Sequence, residues 1–318
     1  MKITKSTLKQ IIKEEVVKLL IEQDEYDDYD DYDDEEELTP AEKIIRLLSS
    51  TDPWEFAQGV EVYLLYKDVI KASDPAGNSE ILKKLEVIDQ FAESDIEEEN
   101  VNFLSGLREL NVTTKIDLSY CNSLRNVDGL QGLTSLTSLD INHCYSLENV
   151  DGLKGCTSLT SLDLGWCISL QNVNGLQGLT NLTDLNLERC SSLQNVDGLQ
   201  GLTNLTSLFL TGNKSLQNVD ALQGFTNLTS LDLSNCKSLQ NVDGLQWLTN
   251  LTDLDLSRCR SLQNVDGLAG CTNLTSLDLT FCESLPRALR RFFQSSEYYG
   301  TAYEHFMEVL NASKGNQP

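Results

Sequence analysis

The sequence predicts an α/β solenoid, in which repeated units stack and each contributes one strand to a parallel sheet. The first observation is a spacing of 23 residues, such as that from Cys121 to Cys144. Because a unit this short cannot bury its apolar face alone, a fixed period of this length indicates stacking. Seven of the nine cysteines and one asparagine occupy the eight slots of this spacing: Cys121, Cys144, Cys167, Cys190, Asn213, Cys236, Cys259 and Cys282.

The second observation is the pattern inside each unit. From Leu228 to Cys236 the chain reads L-x-x-L-x-L-x-x-C, and apolar residues alternate with polar ones around Leu231 and Leu233. Such alternation predicts a strand. Apolar residues then recur every three positions, which favours a tight turn and 3₁₀ or irregular helical turns. We expect eight strands, centred near residues 116, 139, 162, 185, 208, 231, 254 and 277.

This pattern resembles the leucine-rich repeat family over about residues 101–285. The 23-residue unit with its cysteine ladder is similar to bacterial internalin-type repeats and to the cysteine-bearing repeats of plant resistance receptors. The resemblance implies a leucine-rich repeat solenoid. Stacking of its units gives a curved parallel sheet with the strands on the concave side, where we expect a protein partner to bind. A receptor of the resistance type is disfavoured, because the sequence carries no nucleotide-binding domain.

The cysteine slots are interpreted as structural. Asn213 takes one slot, so the slot must suit a small, buried side chain that forms hydrogen bonds and satisfies backbone groups. No C-x-x-C or Cys/His spacing suggests a metal. Neighbouring rungs would lie about 4.8 Å apart, so disulfides are conceivable under oxidation. A reduced compartment is favoured, because disulfide-built folds do not align cysteines along a parallel stack.

Four further segments flank or precede the repeats. The apolar pattern of residues 1–21 predicts an amphipathic helix. Residues 22–37 contain twelve acidic residues and no basic one, which predicts a disordered linker. Residues 38–100 predict a helical N-terminal cap, with one helix starting at Asp52-Pro53 and another running from about Ser79 to Ala92. Residues 286–318 predict a helical C-terminal cap.

The N-terminal helix has two open interpretations. A short basic helix joined to the body by an acidic tether suggests a docking peptide, and this opening is similar to the N-termini of many predicted marine bacteriophage proteins. Alternatively, it folds back onto the body or stays frayed. It is neither a signal peptide, because charges interrupt its apolar runs, nor long enough to span a membrane. The expected location is the cytoplasm or a virion.

Several functional classes are disfavoured by composition. The net charge of −25 argues against nucleic acid or anionic membrane as the main partner. The two histidines, His143 and His305, lie far apart and have no triad context. No phosphate-binding loop, nucleophile elbow or zinc signature is present. We therefore expect a monomeric protein that is not an enzyme and needs no cofactor or metal.

Variation among near-identical repeats suggests where a partner binds. The positions just before and just after the cysteine slot vary most, and they place aromatic residues in the N-terminal half and basic residues further along. Exposed aromatic clusters are typical of binding hot spots, although neutral drift would also produce variation. The candidate residues are Tyr120, His143, Tyr145, Trp166, Ile168, Arg189, Phe209, Arg258 and Arg260.

Two further ladders favour structural roles. Aspartates recur in mid-strand, as at Asp117 and Asp140, where repulsion must be offset by hydrogen bonds, a cation or a basic ligand. The aspartate of the recurring Asn-Val-Asp-Gly-Leu motif, such as Asp243, is expected to cap the next helical turn. The function predicted is a protein-interaction scaffold. The alternative is a structural or cargo protein, such as a phage virion component, docked through its N-terminal helix.

Overall fold

The computed structural model describes residues 38–89, 91, 106–287, 289 and 290. The predicted helix at 1–21, the predicted linker at 22–37 and nearly all of the predicted cap at 286–318 lie outside these described residues. The chain divides into two compact units, Met1–Lys84 and Leu85–Pro318.

The first unit is helical in its described part. Helix α1 (Pro40–Leu48) begins with a capping box, in which the Glu42 amide donates to Thr39 Oγ1 at 3.2 Å and the Thr39 amide to Glu42 Oε2 at 2.7 Å. Helix α2 (Pro53–Ser73) starts at the predicted Asp52-Pro53 step, and α3 covers Pro75–Glu86. The prolines fit because a first-turn residue needs no amide donor.

In its described residues, the second unit contains one parallel sheet of nine strands, arranged in sequence order. The eight strands at the predicted centres are β2 (Lys115–Asp117), β3 (Ser138–Asp140), β4 (Ser161–Asp163), β5 (Asp184–Asn186), β6 (Ser207–Phe209), β7 (Ser230–Asp232), β8 (Asp253–Asp255) and β9 (Ser276–Asp278). Strand residues pair with their equivalents one repeat away, as Leu139 does with Leu162, except that Phe209 and Asp232 are the one pair recorded between β6 and β7. The regular spacing of the leucines therefore predicted both the strands and their register.

The ninth strand, β1 (Val87–Ile88), was not expected. It pairs in parallel with Lys115 and Ile116, at the edge of β2 that precedes the repeats. The helix predicted to reach Ala92 therefore ends at Glu86 instead. Pairing with β1 satisfies backbone groups that β2 would otherwise present as an open edge, which explains why tertiary structure overrides the helical pattern here.

Each repeat continues from its strand through a turn to a short 3₁₀ segment on the other side of the coil. The seven segments are Asp128–Leu130, Asp151–Leu153, Asn174–Leu176, Asp197–Leu199, Asp220–Leu222, Asp243–Leu245 and Asp266–Gly270. Their leucines and the preceding valines are buried with the strand leucines. Helix α4 (Leu107–Leu110) comes before β2.

The capping role in this motif belongs to asparagine, so the expectation for aspartate was wrong. Asn126 Oδ1 accepts a hydrogen bond from the Asp128 amide at 3.1 Å, and Asn241 does the same for Asp243 at 3.2 Å. The aspartate is already the first residue of the 3₁₀ segment, and its side chain is exposed. An asparagine two residues earlier is better placed to accept its amide proton.

Candidate functional site

The cysteine ladder holds neighbouring coils together through hydrogen bonds. Cys144 Sγ donates to the Leu118 carbonyl at 3.2 Å, and the later ladder thiols donate to the equivalent carbonyl of the preceding repeat. The first, Cys121, donates to Phe91 O instead, at 3.1 Å. Asn213 fills its slot by donating from Nδ2 to Leu187 O at 2.9 Å and to Leu210 O at 2.8 Å. The two cysteines outside the ladder, Cys156 and Cys271, also donate to backbone carbonyls.

These thiols are poorly suited to nucleophilic chemistry. None of the nine cysteines, all of them described, forms a disulfide, and all nine are buried. Burial raises the pKa of Cys236 and of Cys282 to about 12, because the thiolate would lose its hydration. Since the thiolate is the reactive form, the ladder has a structural role, as predicted.

The residue just before each ladder slot has a left-handed backbone conformation. Its φ lies between 56° and 62° in seven repeats and is 76° at Gly212. A non-glycine residue costs roughly 1–2 kcal/mol in this region, because Cβ crowds the following carbonyl. The chain therefore retains bulky side chains where glycine would fit without strain: Tyr120, His143, Trp166, Arg189, Arg258 and Phe281, with Asn235 as the smaller exception.

Four of these side chains form one continuous stack, here called the stacked row: Tyr120, His143, Trp166 and Arg189. The rings of Tyr120 and His143 stack with centroids 4.4 Å apart, and those of His143 and Trp166 with centroids 5.4 Å apart. The Arg189 guanidinium carbon lies 4.3 Å from the Trp166 ring centroid. Offset aromatic pairs and cation–π contacts at these distances are attractive, so the four side chains support one another across four repeats.

A polar relay fixes the central ring of the stacked row. His143 Nδ1 lies 2.7 Å from Asn142 Oδ1, and Asn142 Nδ2 donates to Asp140 Oδ1 at 2.6 Å. With the Asn142 oxygen as acceptor, the Nδ1 position carries the proton of neutral His143. The imidazole is thus held both by stacking on its faces and by a hydrogen bond at its edge.

The position after the ladder slot extends this surface. Tyr145 and Ile168 are 39% and 41% exposed, and the Tyr145 ring meets His143 edge-on with centroids 6.0 Å apart. The predicted cluster of Tyr120, His143, Tyr145, Trp166 and Ile168 therefore shares one edge of the sheet, where strands β2 to β4 end. Arg189 joins it through its contact with Trp166.

The remaining predicted residues lie in later repeats. Phe209 is 52% exposed at the end of β6 and, within the described residues, makes no ring contact with the cluster. Arg258 lies over the Phe281 ring at 5.8 Å, and Arg260 Nε is 3.5 Å from Glu283 Oε1. The structure thus separates these three residues from the aromatic cluster, although all three are exposed.

The mid-strand aspartates form local hydrogen bonds. Asp117, Asp163 and Asp232 each accept the amide proton of the residue two positions later, at 2.8–2.9 Å. Asn186 does the same at 2.9 Å, so an uncharged acceptor can replace the carboxylate, whereas Phe209 at the equivalent position of β6 has no acceptor. Burial raises the pKa of Asp140, backbone hydrogen bonding opposes the shift, and its neighbours Asp163 and Asp117 add to it. Hydrogen bonding therefore accounts for this ladder.

Two exposed aromatic residues were missing from the predicted set. Trp247, 52% exposed, replaces the glycine found at this point of the other turns, and the preceding Gln246 has ψ of −27° where its counterparts have about 120–125°. Phe281, 64% exposed, belongs to the left-handed position of the last repeat. A tryptophan in a slot otherwise occupied by glycine was the signal in the sequence.

The fold and this surface define a solenoid of leucine-rich repeats. A family model, the BspA-type leucine-rich repeat region, matches in six copies over residues 90–216 and 164–286. The chain therefore belongs to the BspA-type leucine-rich repeat family. Proteins built from such repeats are generally protein-interaction scaffolds. A comparison with curated proteins finds no match.

Solved structures give the following similarities. An internalin (inlF) from Listeria monocytogenes is 18% identical, with 71% of this chain and 68% of that chain covered and a TM-score of 0.47. The leucine-rich repeat domain of the type III effector XCV3220 (XopL) is 18% identical, with 79% and 92% covered and a TM-score of 0.49. InlJ from Listeria monocytogenes, described as including a cysteine ladder, is 21% identical, with 65% and 56% covered and a TM-score of 0.35.

Within the described part of the chain, no helix is both long and apolar enough to cross a membrane. No group of three or more His, Cys, Asp or Glu side chains in those residues could hold a metal ion.

Proposed function

We propose that this protein is a non-enzymatic scaffold that binds a protein partner along the concave side of its sheet, with the aromatic cluster as the anchor. The observation that carries the proposal is the stacked row. Three bulky rings and an arginine are retained at positions where glycine would relieve strain. Gly212, at the same position of its repeat, shows that glycine can occupy it without backbone strain. That consecutive repeats nevertheless keep strained bulky residues there supports a role beyond folding.

The proposed mechanism is recognition by a rigid surface. The rings of Tyr120, His143 and Trp166 are fixed by stacking, so ordering them on binding costs little conformational entropy. Exposed Tyr145 and Ile168 lie beside them and provide apolar area. Aromatic side chains in such an arrangement are typical of binding hot spots. The arginines at the edge would set orientation and the rate of association.

The cysteine ladder also bears on the cellular compartment in which the protein works. Each buried thiol donates to a carbonyl of the neighbouring coil, so oxidation would remove a donor and enlarge a packed side chain. We therefore propose that the protein works where thiols remain reduced.

The test compares affinity capture from lysate of the source cells by three full-length proteins. These are the wild type, a row variant (His143→Gly, Tyr145→Ala, Trp166→Gly) and a control variant (Gln177→Ala, Gln200→Ala, Gln223→Ala). Glycine is chosen at the two left-handed positions so that the fold tolerates it. The control glutamines are exposed and lie at the ends of 3₁₀ segments.

The expected result is a partner that the wild type and the control variant both retain and the row variant loses. Equal retention by all three proteins would overturn the proposal. Far-ultraviolet circular dichroism of each variant checks that any loss is not due to unfolding.

A further inference from the structure

We propose that the partner contributes an acidic, extended segment, which lies on a row of cations further along the same edge of the sheet. This inference rests on the proposed function, because it describes a second part of the same binding surface. The row, here called the basic row, consists of Lys214, Lys237, Arg258 and Arg260. It occupies the positions beside the ladder slot in three successive repeats.

The charges of the basic row are poorly neutralised by the protein itself. Among the described residues, neither Lys214 nor Lys237 has a carboxylate within ion-pair distance, and all four cations are exposed. The Arg258 guanidinium lies over the face of Phe281, and Arg260 has a long contact of 3.5 Å with Glu283. A local excess of positive charge therefore stands out on a chain whose net charge is −25.

This contrast favours an acidic segment over a nucleic acid. The overall negative charge repels a long polyanion, whereas a short run of Asp or Glu can contact the row alone. Neighbouring rungs are about 4.8 Å apart, so Lys214 and Arg260 lie about 10 Å apart, two rungs away from each other. An extended chain rises about 3.3 Å per residue, so carboxylates three residues apart match that distance.

The test uses a defined probe, a fluorescein-labelled twelve-residue peptide with Glu at every third position and Ser and Gly between, and measures fluorescence anisotropy with the full chain at low salt. The basic-row variant carries Lys214→Gln, Lys237→Gln and Arg260→Gln. The control is Lys67→Gln, Lys71→Gln, Lys83→Gln, which removes the same charge from exposed positions of the helical unit. Neither variant alters a left-handed position.

We expect the basic-row variant to bind the probe at least tenfold more weakly than the wild type and the control variant to differ from it less than twofold. We also expect 0.5 M NaCl to abolish binding by the wild type. Equal loss of affinity in both variants, undiminished binding by the basic-row variant, or no binding by the wild type would each overturn the inference. A partner captured through the aromatic cluster but insensitive to the lysine and arginine changes would remove this inference and leave the proposed function standing.

A separate observation identifies a weak junction in the solenoid, between β6 and β7. Only one residue pair, Phe209 with Asp232, joins these strands, and the bond from the Leu210 amide to Asp232 O is 3.3 Å long. At the other repeat junctions from β2 to β9, the equivalents of the Thr229 and Ser230 amides donate to a threonine carbonyl of the preceding repeat. Here, within the described residues, both of these bonds are missing.

The sequence supplies a cause at the same junction. Ala221 stands where the other 3₁₀ segments between repeats have glycine. At those glycines a Cβ would lie well under 3.0 Å from a valine carbonyl of the preceding coil, as Gly198 illustrates with Val173 O. We infer that the Ala221 methyl group separates the two coils and creates a flexible joint, with the aromatic cluster before it and most of the basic row after it.

Residue-resolved amide hydrogen exchange tests this joint. In the wild type the amides of Thr229 and Ser230 should exchange at least tenfold faster than those of Thr252 and Asp253, their equivalents one repeat later. Ala221→Gly should slow the first pair, and Gly198→Ala should accelerate exchange at Thr206 and Ser207. Equal protection of the two pairs in the wild type would refute the joint, whatever the variants do.

Discussion

Replacing Arg258 should separate the cost of its left-handed backbone from every other contribution. Arg258 has φ of 61°, whereas Arg260, two residues later, does not have a positive φ, and both side chains are exposed. Truncation to alanine or to glycine removes the same contacts at either site. The difference between the glycine and alanine variants therefore reports backbone conformation alone.

The magnitude follows from two opposing terms. Glycine loses about 0.5–1 kcal/mol more than alanine in conformational entropy on folding. A left-handed conformation costs alanine about 1–2 kcal/mol, which glycine avoids. At Arg258 the glycine variant should therefore be more stable than the alanine variant by about 0.5–1 kcal/mol. At Arg260 the order should reverse by a similar amount, and the double difference should equal about 1–2 kcal/mol.

The assay is urea denaturation of the four variants, with unfolding free energies compared at a common slope. Similar glycine-to-alanine differences at Arg258 and Arg260 would refute the reasoning. In that case the bulky residues of the stacked row would carry no conformational cost, and the strain argument for a binding surface would fail with it.

Three other predictions concern packing, charge and thiols. Gly175→Ala should lower the unfolding free energy by about 2 kcal/mol in urea denaturation, because its Cβ would overlap the Val150 carbonyl. Asp140→Asn should raise it at pH 7, since burial raises the pKa of Asp140 in the folded protein and ionisation therefore costs the folded state. That gain should vanish as pH falls through the folded pKa, so a constant gain at all pH values would contradict it. Cys236 should resist iodoacetamide in the native protein and react after unfolding, so rapid native labelling would contradict its burial.

The repeats were predictable because their spacing is a property of the sequence itself. Leucines at a fixed interval defined the strand centres and their register, and Asn213 in a cysteine slot indicated a buried hydrogen-bonding side chain. The extra strand β1 was not predictable. Val87–Ile88 follows a helical pattern directly, and only the open edge of β2 makes it a strand.

The candidate site was predicted in its composition but not in its geometry. Variation among the repeats identified the aromatic residues, whereas their stacking depends on a backbone conformation that most of them disfavour. At the position just before the ladder slot, Gly212 and Asn235 are the residues that favour a left-handed conformation. They were the sequence signal for that conformation. The asparagine cap of the 3₁₀ segments was missed because aspartate and asparagine are both good capping residues. Which of the two caps depends on the residue at which the segment begins, and the structure shows that it begins at the aspartate.

The most direct measurement is site-specific photo-crosslinking from the proposed surface. A benzophenone side chain is placed at Tyr145 or Ile168, and in controls at Gln177 or Gln200, in the full chain incubated with source-cell lysate. A partner that crosslinks from Tyr145 and Ile168, is absent from both controls and is lost when Trp166→Gly is added would agree with the proposed binding surface. The same crosslinks from all four positions, or crosslinks from the glutamines alone, would contradict it.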